Sequence, residues 1–428
     1  MWKKPGNPVP IEAAQVAKGV YVWLNVKWTE HPFLSDRFLV ETEKDVAILQ
    51  TLDLVGRLFY YPDMSTAPLR AAPPVARMDS SPSTAASSQE QTALNTEVLA
   101  LEKAKKDKLR VQKDAAARAE RAWDAAASAT REALVGLSRS PKSAGEDLAK
   151  LSRQTAATIT QGQDILLHLL GDRKGQGPQF HALNTMTLCM LLGKVSGLNE
   201  KDLSDLALAA LAHDCGKSEI PLSILKISKR KKFEEDFYRQ HVPFSVKLAA
   251  QSGAFSKEAL ATIADHHEAV DGSGWPQGKK DAAHSARILS VVDRYEELCS
   301  PQATDCDPLM PAEALSFMYR NEASRFDPAL LSALIKLLGV YPPGTLVQLS
   351  NGALALVVSP GPTSLLPKVL LYSPEVAKEE APTLELSTEP GVKITEAIRP
   401  STLPSDVLEW LNPQQRLSYY FSVPSDAA

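Results

Sequence analysis

Apolar and polar positions alternate along residues 19–26, Gly-Val-Tyr-Val-Trp-Leu-Asn-Val, and that period of two predicts a β-strand. Residues 37–41 repeat the strand pattern, 42–54 read as a short helix, and 56–61 return to strand. Together they outline a small α/β domain over residues 1–62, with His31 as a turn residue. Residues 63–93 change character: Ala, Pro, Ser and Thr dominate. Such a segment cannot bury enough apolar area to fold, so a disordered linker is expected. From 92 to 136 the chain is dense in Ala, Lys, Glu and Arg, with no proline and no glycine before Gly136, which predicts a helix within a helical segment over 94–158. Its heptad is weak, and the basic cluster 103–110 reads as a solvated face; a dimerising coil, and so a homodimer, stays open. A second helical stretch covers 146–170, with His168 near its end in a structural role. Beyond Tyr341-Pro342-Pro343-Gly344 the period returns to two. Residues 345–358 read as a hairpin turning at Asn351-Gly352, with further strands at 369–372 and 383–386, giving a β-rich appendix over 341–428.

Length and composition add boundaries. A chain of 428 residues has room for two or three domains, and 44% hydrophobic content supports a real core in at least one. The formal net charge of −4 gives no broad basic field for a nucleic-acid polymer; an anionic ligand would need local positive charge. The four cysteines, Cys189, Cys215, Cys299 and Cys306, form no C-x-x-C pair, so a reduced, cytoplasmic compartment is expected. The first residues lack the apolar core of a signal peptide, and no apolar run is long enough for a transmembrane helix, so no membrane insertion is expected.

The candidate chemistry sits between 159 and 340. Five of the eight histidines fall in one window, His181, His213, His241, His266 and His267. His213 and Asp214 are adjacent at the end of Leu-Ala-Leu-Ala-Ala-Leu-Ala, a run that is apolar on nearly every face. Asp293 ends the apolar stretch 286–293, which reads as a buried helix. A carboxylate in either place is costly unless paired or bound to metal. Each residue alone has a bland reading: a lone buried histidine is usually a satisfied core residue, and Asp-Gly-Ser-Gly an ordinary turn. The ordered set of five histidines and two aspartates does not. Imidazole and carboxylate donors together suit Fe, Mn, Zn, Co or Ni.

The set resembles the HD-GYP domain, a branch of the HD superfamily of metal-dependent phosphohydrolases, over about residues 160–340. His213-Asp214-Cys215-Gly216-Lys217 matches its HD-x-G-K element. Residues 266–276, His-His-Glu-Ala-Val-Asp-Gly-Ser-Gly-Trp-Pro, match HHE-x-x-DG-x-GYP, with Trp275 in place of tyrosine. His181, His241 and Asp293 match the family's upstream histidine, His-Pro histidine and downstream aspartate. The resemblance implies a mainly α fold, an HD-type helical bundle carrying the small α/β N-terminal domain and the small β appendix. It implies hydrolysis of cyclic di-GMP, a bacterial second messenger, to pGpG or GMP. It also implies two divalent metal ions, Fe or Mn first: His181, His213 and Asp293 on one, His241, His266 and His267 on the other, and Asp214 bridging. Such a bridge holds two cations about 3.5–4 Å apart, where they activate a shared water and neutralise phosphodiester charge. Lys217 is read as a catalytic point charge on a phosphate oxygen, and Asp271, Gly274, Trp275 and Pro276 as substrate contacts.

Three departures qualify the resemblance. Gly177 stands where some members carry a glutamate that helps hold a third metal, so two metals are expected. Gln302 and Asp305 stand where many members carry basic residues that grip cyclic di-GMP. Losing two charge-assisted contacts costs roughly 1.5–3 kcal/mol each, unless Arg287, Arg294 or Arg320 substitutes. Trp275 keeps an aromatic plane and a donor, for a base or for a protein partner, or simply to anchor its loop. Three readings follow: a cyclic di-GMP phosphodiesterase; a metal-binding sensor or scaffold of weak or no turnover acting through protein partners; and a hydrolase of another nucleotide.

Overall fold

The computed structural model describes all residues except 1–6, 27–29, 34–35, 72–84, 162–165, 170–176, 375–377, 379–380, 382, 389–390, 412–418 and 423–428. The chain divides into two compact units. The first gathers Met1–Ala116, Leu346–Leu356 and Lys368–Pro413; the second gathers Ala117–Thr345, Val357–Pro367 and Gln414–Ala428.

In the first unit, β1 (Val9–Pro10), β2 (Tyr21–Leu24), β3 (Arg37–Leu39) and β4 (Leu58–Tyr60) form one sheet in the order β1-β4-β2-β3. Helix α1 (Glu43–Thr51) starts at a reciprocal cap: Asp45 N–H donates to Thr42 Oγ1, and Thr42 N–H donates to Asp45 Oδ2. Its Val46 and Leu49 share one core cluster with Val22, Leu24 and Leu58 of the sheet and with Val20 and Val40, which flank β2 and β3. Strands β2, β3 and β4 and helix α1 fall where the sequence pattern predicts them, whereas no pattern anticipates β1. His31 does not sit as an open turn: it is fully buried, Lys105 donates to its carbonyl, and burial pushes its pKa down to about 3.

Helix α2 (Ala85–Arg139) begins inside the segment expected to be linker, of which 72–84 lies outside the described residues. Alanine and glutamine at 85–93 propagate a helix already supported downstream, so local composition misplaced its start. Gly136 does not end it either. A Cβ there would lie 3.0 Å from Ala144 of α3 (Pro141–Gln161), so this glycine admits a close approach of consecutive helices. The helix expected over 146–170 stops at Gln161, and β5 (Leu166–Leu169) follows, paired antiparallel with Tyr419–Ser422. An apolar run as short as Leu-Leu-His-Leu-Leu is ambiguous by period, and a distant strand decided it.

The second unit is a bundle. After α3 come α4 (Pro178–Val195), α5 (Glu200–Ala212), α6 (Leu222–Leu225), α7 (Lys232–Tyr238), α8 (His241–Ser252), α9 (Lys257–Asp265), α10 (His284–Cys299), α11 (Pro311–Asn321) and α12 (Pro328–Leu338). Helix α4 is buried without interruption from Ala182 to Gly193, as befits a central helix that is apolar all round. Helix α5 starts at Asn199, whose side chain accepts from Asp202 N–H, and then buries Leu203 and every residue from Leu206 to Ala212. Gly193 lets the two approach: a Cβ there would lie 2.9 Å from Leu203 Cδ2. Helix α10 adds Ile288, Leu289, Val291, Val292 and Tyr295 to the same core.

The C-terminal strands are β6 (Leu346–Leu349), β7 (Leu354–Ser359), β8 (Lys368–Leu371), β9 (Thr383–Glu385) and β10 (Ile394–Ile398), in the order β10-β6-β7-β8-β9. The β6–β7 hairpin turns at Asn351-Gly352 as expected; Gly352 has φ +82°, which favours glycine. Strand β10, the short α13 (Ser405–Leu411) and β11 (Tyr419–Ser422) carry no pattern that anticipates them. Among the described residues, no helix is long and apolar enough to cross a membrane.

Candidate metal centre

The seven candidate ligands come from five places in the bundle. His181 lies in the first turn of α4; His213 closes α5, and Asp214 leaves the helix with φ −103°, ψ 5° before a 3-10 turn, Cys215–Glu219. His241 opens α8, His266 and His267 follow α9, and Asp293 lies within α10. Gly216 joins two of these places: its N–H donates to Ser245 Oγ (2.8 Å), so the turn after Asp214 packs onto the first turns of α8.

These side chains converge in two groups, His181, His213, Asp214 and Asp293, and His241, His266 and His267; within each, one donor atom per residue lies within 4.8 Å of the others. Asp214 faces both groups. Its Oδ2 is 3.4 Å from His181 Nε2 and 3.6 Å from His213 Nε2, while its Oδ1 is 3.4 Å from His241 Nε2. Asp293 Oδ1 lies 3.2 Å from His181 Nε2 and 3.3 Å from His213 Nε2. Ring nitrogens also face one another, His181 Nε2 and His213 Nε2 at 3.1 Å, His241 Nε2 and His267 Nε2 at 3.3 Å.

The residues present fit a metal pair on three grounds. The first is tautomer. Nδ1 of His213, His241 and His266 lies 2.8, 2.8 and 2.6 Å from the carbonyls of Ala210, Tyr238 and Ile263. A carbonyl only accepts, so each Nδ1 carries the proton and each Nε2 turns its lone pair to the centre. The second is satisfaction: Asp214 Oδ1 and His266 Nε2 are buried with no hydrogen-bond partner, a costly state that a cation relieves. The third is protonation. Burial, with neighbouring positive charge, pushes His241 down to about 3 and His266 to about 4, and lowers His267 too, so these rings are neutral donors near pH 7. For Asp214, burial is outweighed by Lys217 and the histidines; for Asp293, by His181 and His213. Both stay ionised. His181 differs: burial opposes its charge, but Glu296, Asp214 and Asp293 outweigh burial and hold its pKa well above the usual value. A metal at His181 Nε2 therefore competes with a proton.

Glu296 is a functional side chain that the motifs do not announce. It is buried one turn beyond Asp293 on α10, accepts from His181 Nδ1 through Oε2 and from Asn184 Nδ2 through Oε1 (3.1 Å), and so aims the His181 ring. A buried glutamate at i+3 from a ligand on an apolar helix is the signal that finds it. Glu296→Gln keeps the volume and weakens this orientation. We expect metal affinity at the His181 group to fall about 10- to 100-fold, read by metal titration, with the His241 group less affected; unchanged affinity at both would show that Glu296 does not orient His181.

The expected substrate residues have mixed positions. Lys217 is paired with Asp214, beside the centre. Trp275 stacks on His267 (ring centroids 4.2 Å, 28° between planes) and meets His241 edge-on at 5.5 Å. Pro276 is exposed beside it. Asp271 instead works on the loop, accepting from Ser273 N–H (2.9 Å) and Ser324 Oγ (3.1 Å). Gly274 presses on the chain behind it: a Cβ would lie 2.6 Å from Glu268 Cα. Glu268 in turn accepts from the N–H groups of Gln277 (2.7 Å) and Lys279 (2.8 Å), which clamps the loop carrying Trp275. Arg294 is held by Glu322 and Glu297, and Arg287 by Asp327, so neither is free to replace a missing basic contact. Arg320 is exposed on α11. Asp305 accepts from Ser228 N–H.

Comparison with known proteins gives a consistent family. The family described as HD domain matches residues 146–330, and a domain of unknown function (DUF3391) matches residues 9–147. Cyclic di-GMP phosphodiesterase PA4108 of Pseudomonas aeruginosa is 26% identical over 377 residues, 85% of this chain and 84% of its own. Cyclic di-GMP phosphodiesterase response regulator RpfG of Xanthomonas campestris is 33% identical over 150 residues, 34% of this chain and 39% of its own. The 3'3'-cGAMP-specific phosphodiesterase 1 of Vibrio cholerae is 29% identical over 177 residues, 40% of each. The chain thus spans most of the first relative and about two fifths of the other two. The HD-domain match lies over the helices that carry all seven clustered candidate ligands, so residues 146–330 of this chain match the HD-domain family.

Proposed function

We propose that this chain is a two-metal phosphodiesterase that hydrolyses cyclic di-GMP to pGpG, GMP or both, acting in the cytoplasm, with Fe or Mn as its resident ions. The observation that carries the reading is the position of Asp214, whose two oxygens face two separate ligand groups. His181, His213 and Asp293 would hold one ion and His241, His266 and His267 the other. When bound, such ions activate water near neutral pH and offset charge on the phosphodiester. The chain's own groups do the rest. Three backbone carbonyls fix the histidine tautomers, Glu296 aims His181, and Lys217 adds a fixed positive charge next to Asp214. Trp275 covers the His267 ring and limits water on that side.

A second reading is a hydrolase for a related cyclic dinucleotide. It is favoured by Gln302 and Asp305, which leave the segment after α10 without the basic residues expected there, and by the resemblance to a 3'3'-cGAMP-specific enzyme. The test is anaerobic purification with Mn or Fe, metal counting, and chromatography of products from cyclic di-GMP and 3'3'-cGAMP. Two ions per chain with pGpG or GMP released from cyclic di-GMP is the expected result. Two ions with turnover of 3'3'-cGAMP alone would transfer the assignment to that substrate, and two ions with no product from either would overturn the enzyme reading.

A further inference from the structure

A cyclic dinucleotide carries two phosphodiesters, and only one can lie at the metal ligands while it is cut. The other remains an anion that has to be met by the protein, in a chain whose net charge is −4. The cations near the centre are mostly committed: Lys217 to Asp214, Lys279 to Asp265, Arg287 to Asp327, and Arg294 to Glu322 and Glu297.

Arg239 is different. It lies two residues before the ligand His241, and its guanidinium sits over the Trp275 ring at 5.3 Å from the centroid. Trp275 in turn touches two ligand rings, His267 and His241. Arg239 Nε donates to Glu235 Oε1 (3.0 Å), which fixes the rotation of the guanidinium. Among the described residues, its two Nη groups have no protein partner, and the side chain is 45% exposed. Glu235 is itself steadied from the far side by Arg230 Nη1 (3.7 Å). Arg230 is nearly buried and lies over Tyr238 (3.7 Å to the centroid), whose ring packs on His241 at 4.9 Å. Two guanidinium–aromatic stacks therefore lead away from one metal ligand, joined by Glu235, and one of them presents a free two-nitrogen edge to solvent. A planar edge held this way is pre-organised for bidentate contact with a phosphate.

We infer that Arg239, laid on Trp275 and held by Glu235, is the specificity-determining contact for the phosphodiester of a cyclic dinucleotide that is not being cleaved. It supplies from the start of α8 the positive charge that the segment containing Gln302 and Asp305 lacks. The inference rests on the cyclic-dinucleotide phosphodiesterase reading and deepens it.

The experiment compares wild type, Arg239→Ala and Arg239→Lys in the metal-loaded full chain. Two substrates are used: cyclic di-GMP, and bis(p-nitrophenyl) phosphate, which has a single phosphodiester. For Arg239→Ala, KM for cyclic di-GMP should rise about 10- to 100-fold, with kcat changed much less. The preference for cyclic di-GMP over the one-phosphate diester should fall by a similar factor. Arg239→Lys keeps the charge without the planar edge and should recover only part of the loss. Unchanged KM and unchanged preference in Arg239→Ala would overturn the inference. If wild type cleaves the one-phosphate diester and not cyclic di-GMP, the cyclic di-GMP reading fails separately. Calorimetric binding of cyclic di-GMP then decides the Arg239 contact, since equal affinity of wild type and Arg239→Ala, or no binding to wild type, would remove it.

Discussion

Asp214→Ala is expected to strip both ions from the chain and to lower phosphodiester turnover by at least about a thousand-fold, since even one transition-state donor is worth about 100- to 1000-fold in comparable sites. Asp214 is the residue whose oxygens face both ligand groups, so its loss is felt in each. The remaining histidines keep their tautomers, because the carbonyls of Ala210, Tyr238 and Ile263 do not depend on Asp214. The His241 group would then hold only neutral histidines and the His181 group only the charge of Asp293, without the shared carboxylate that holds two dications close together. Lys217 would lose its partner, and its ammonium, 15% exposed beside the cluster, would repel cations further. The fold should survive, since the carboxylate is a buried charge and not part of the apolar core. Metal content by mass spectrometry, melting of the metal-free protein and turnover are the three readings. Loss of metal and turnover with an unchanged metal-free melt is the expected result; a variant with two ions and full turnover would end the bridging model.

The candidate ligands were legible in the sequence because their chemistry is local. An adjacent His-Asp at the end of an apolar run, and an aspartate inside another, are anomalies that burial makes costly, and metal is the economical explanation. Strands β2, β3 and β4 were legible because short runs rich in β-branched and aromatic residues lie between turn residues, and in β2 that run is buried at Tyr21, Val22 and Leu24 and half-buried at Trp23. What stayed hidden depends on distant chain. Leu166–Leu169 is a strand only because Tyr419–Ser422 pairs with it. His31 is buried, and Lys105, far along α2, donates to its carbonyl, a contact that local sequence does not announce. Arg239 reads as an ordinary surface cation until Trp275 comes to lie under it. Glu296 was in plain view one helical turn past Asp293, but its role needs His181, brought in from α4.

Gly216 shows how one residue can carry both fold and chemistry, and Gly216→Ala is expected to have the second largest effect. The position needs no unusual φ, so the cost is purely one of space. An added Cβ would lie 2.8 Å from Phe244 Cβ, and closer still to His241 O and Ser245 N. Two of these three neighbours are backbone atoms in the first turns of α8, which cannot rotate aside as a flexible side chain would. The methyl must either push α8 away from the turn or break the Gly216 N–H to Ser245 Oγ bond. Overpacking of this kind costs about 1–3 kcal/mol, and the backbone contacts put it at the upper end. The displacement also moves His241, which opens α8, away from Asp214 Oδ1, now 3.4 Å from its Nε2. Metal affinity at the His241 group should therefore fall more than the melt alone implies. Gly193→Ala supplies the comparison, because its added Cβ meets only leucine side chains, Leu203, Leu198 and Leu206, away from the ligands. If both variants lose stability and only Gly216→Ala loses metal from the His241 group, the glycine of the HD-x-G-K element serves to seat α8 against Asp214. If Gly216→Ala binds both ions like wild type, that seating is not what the glycine provides.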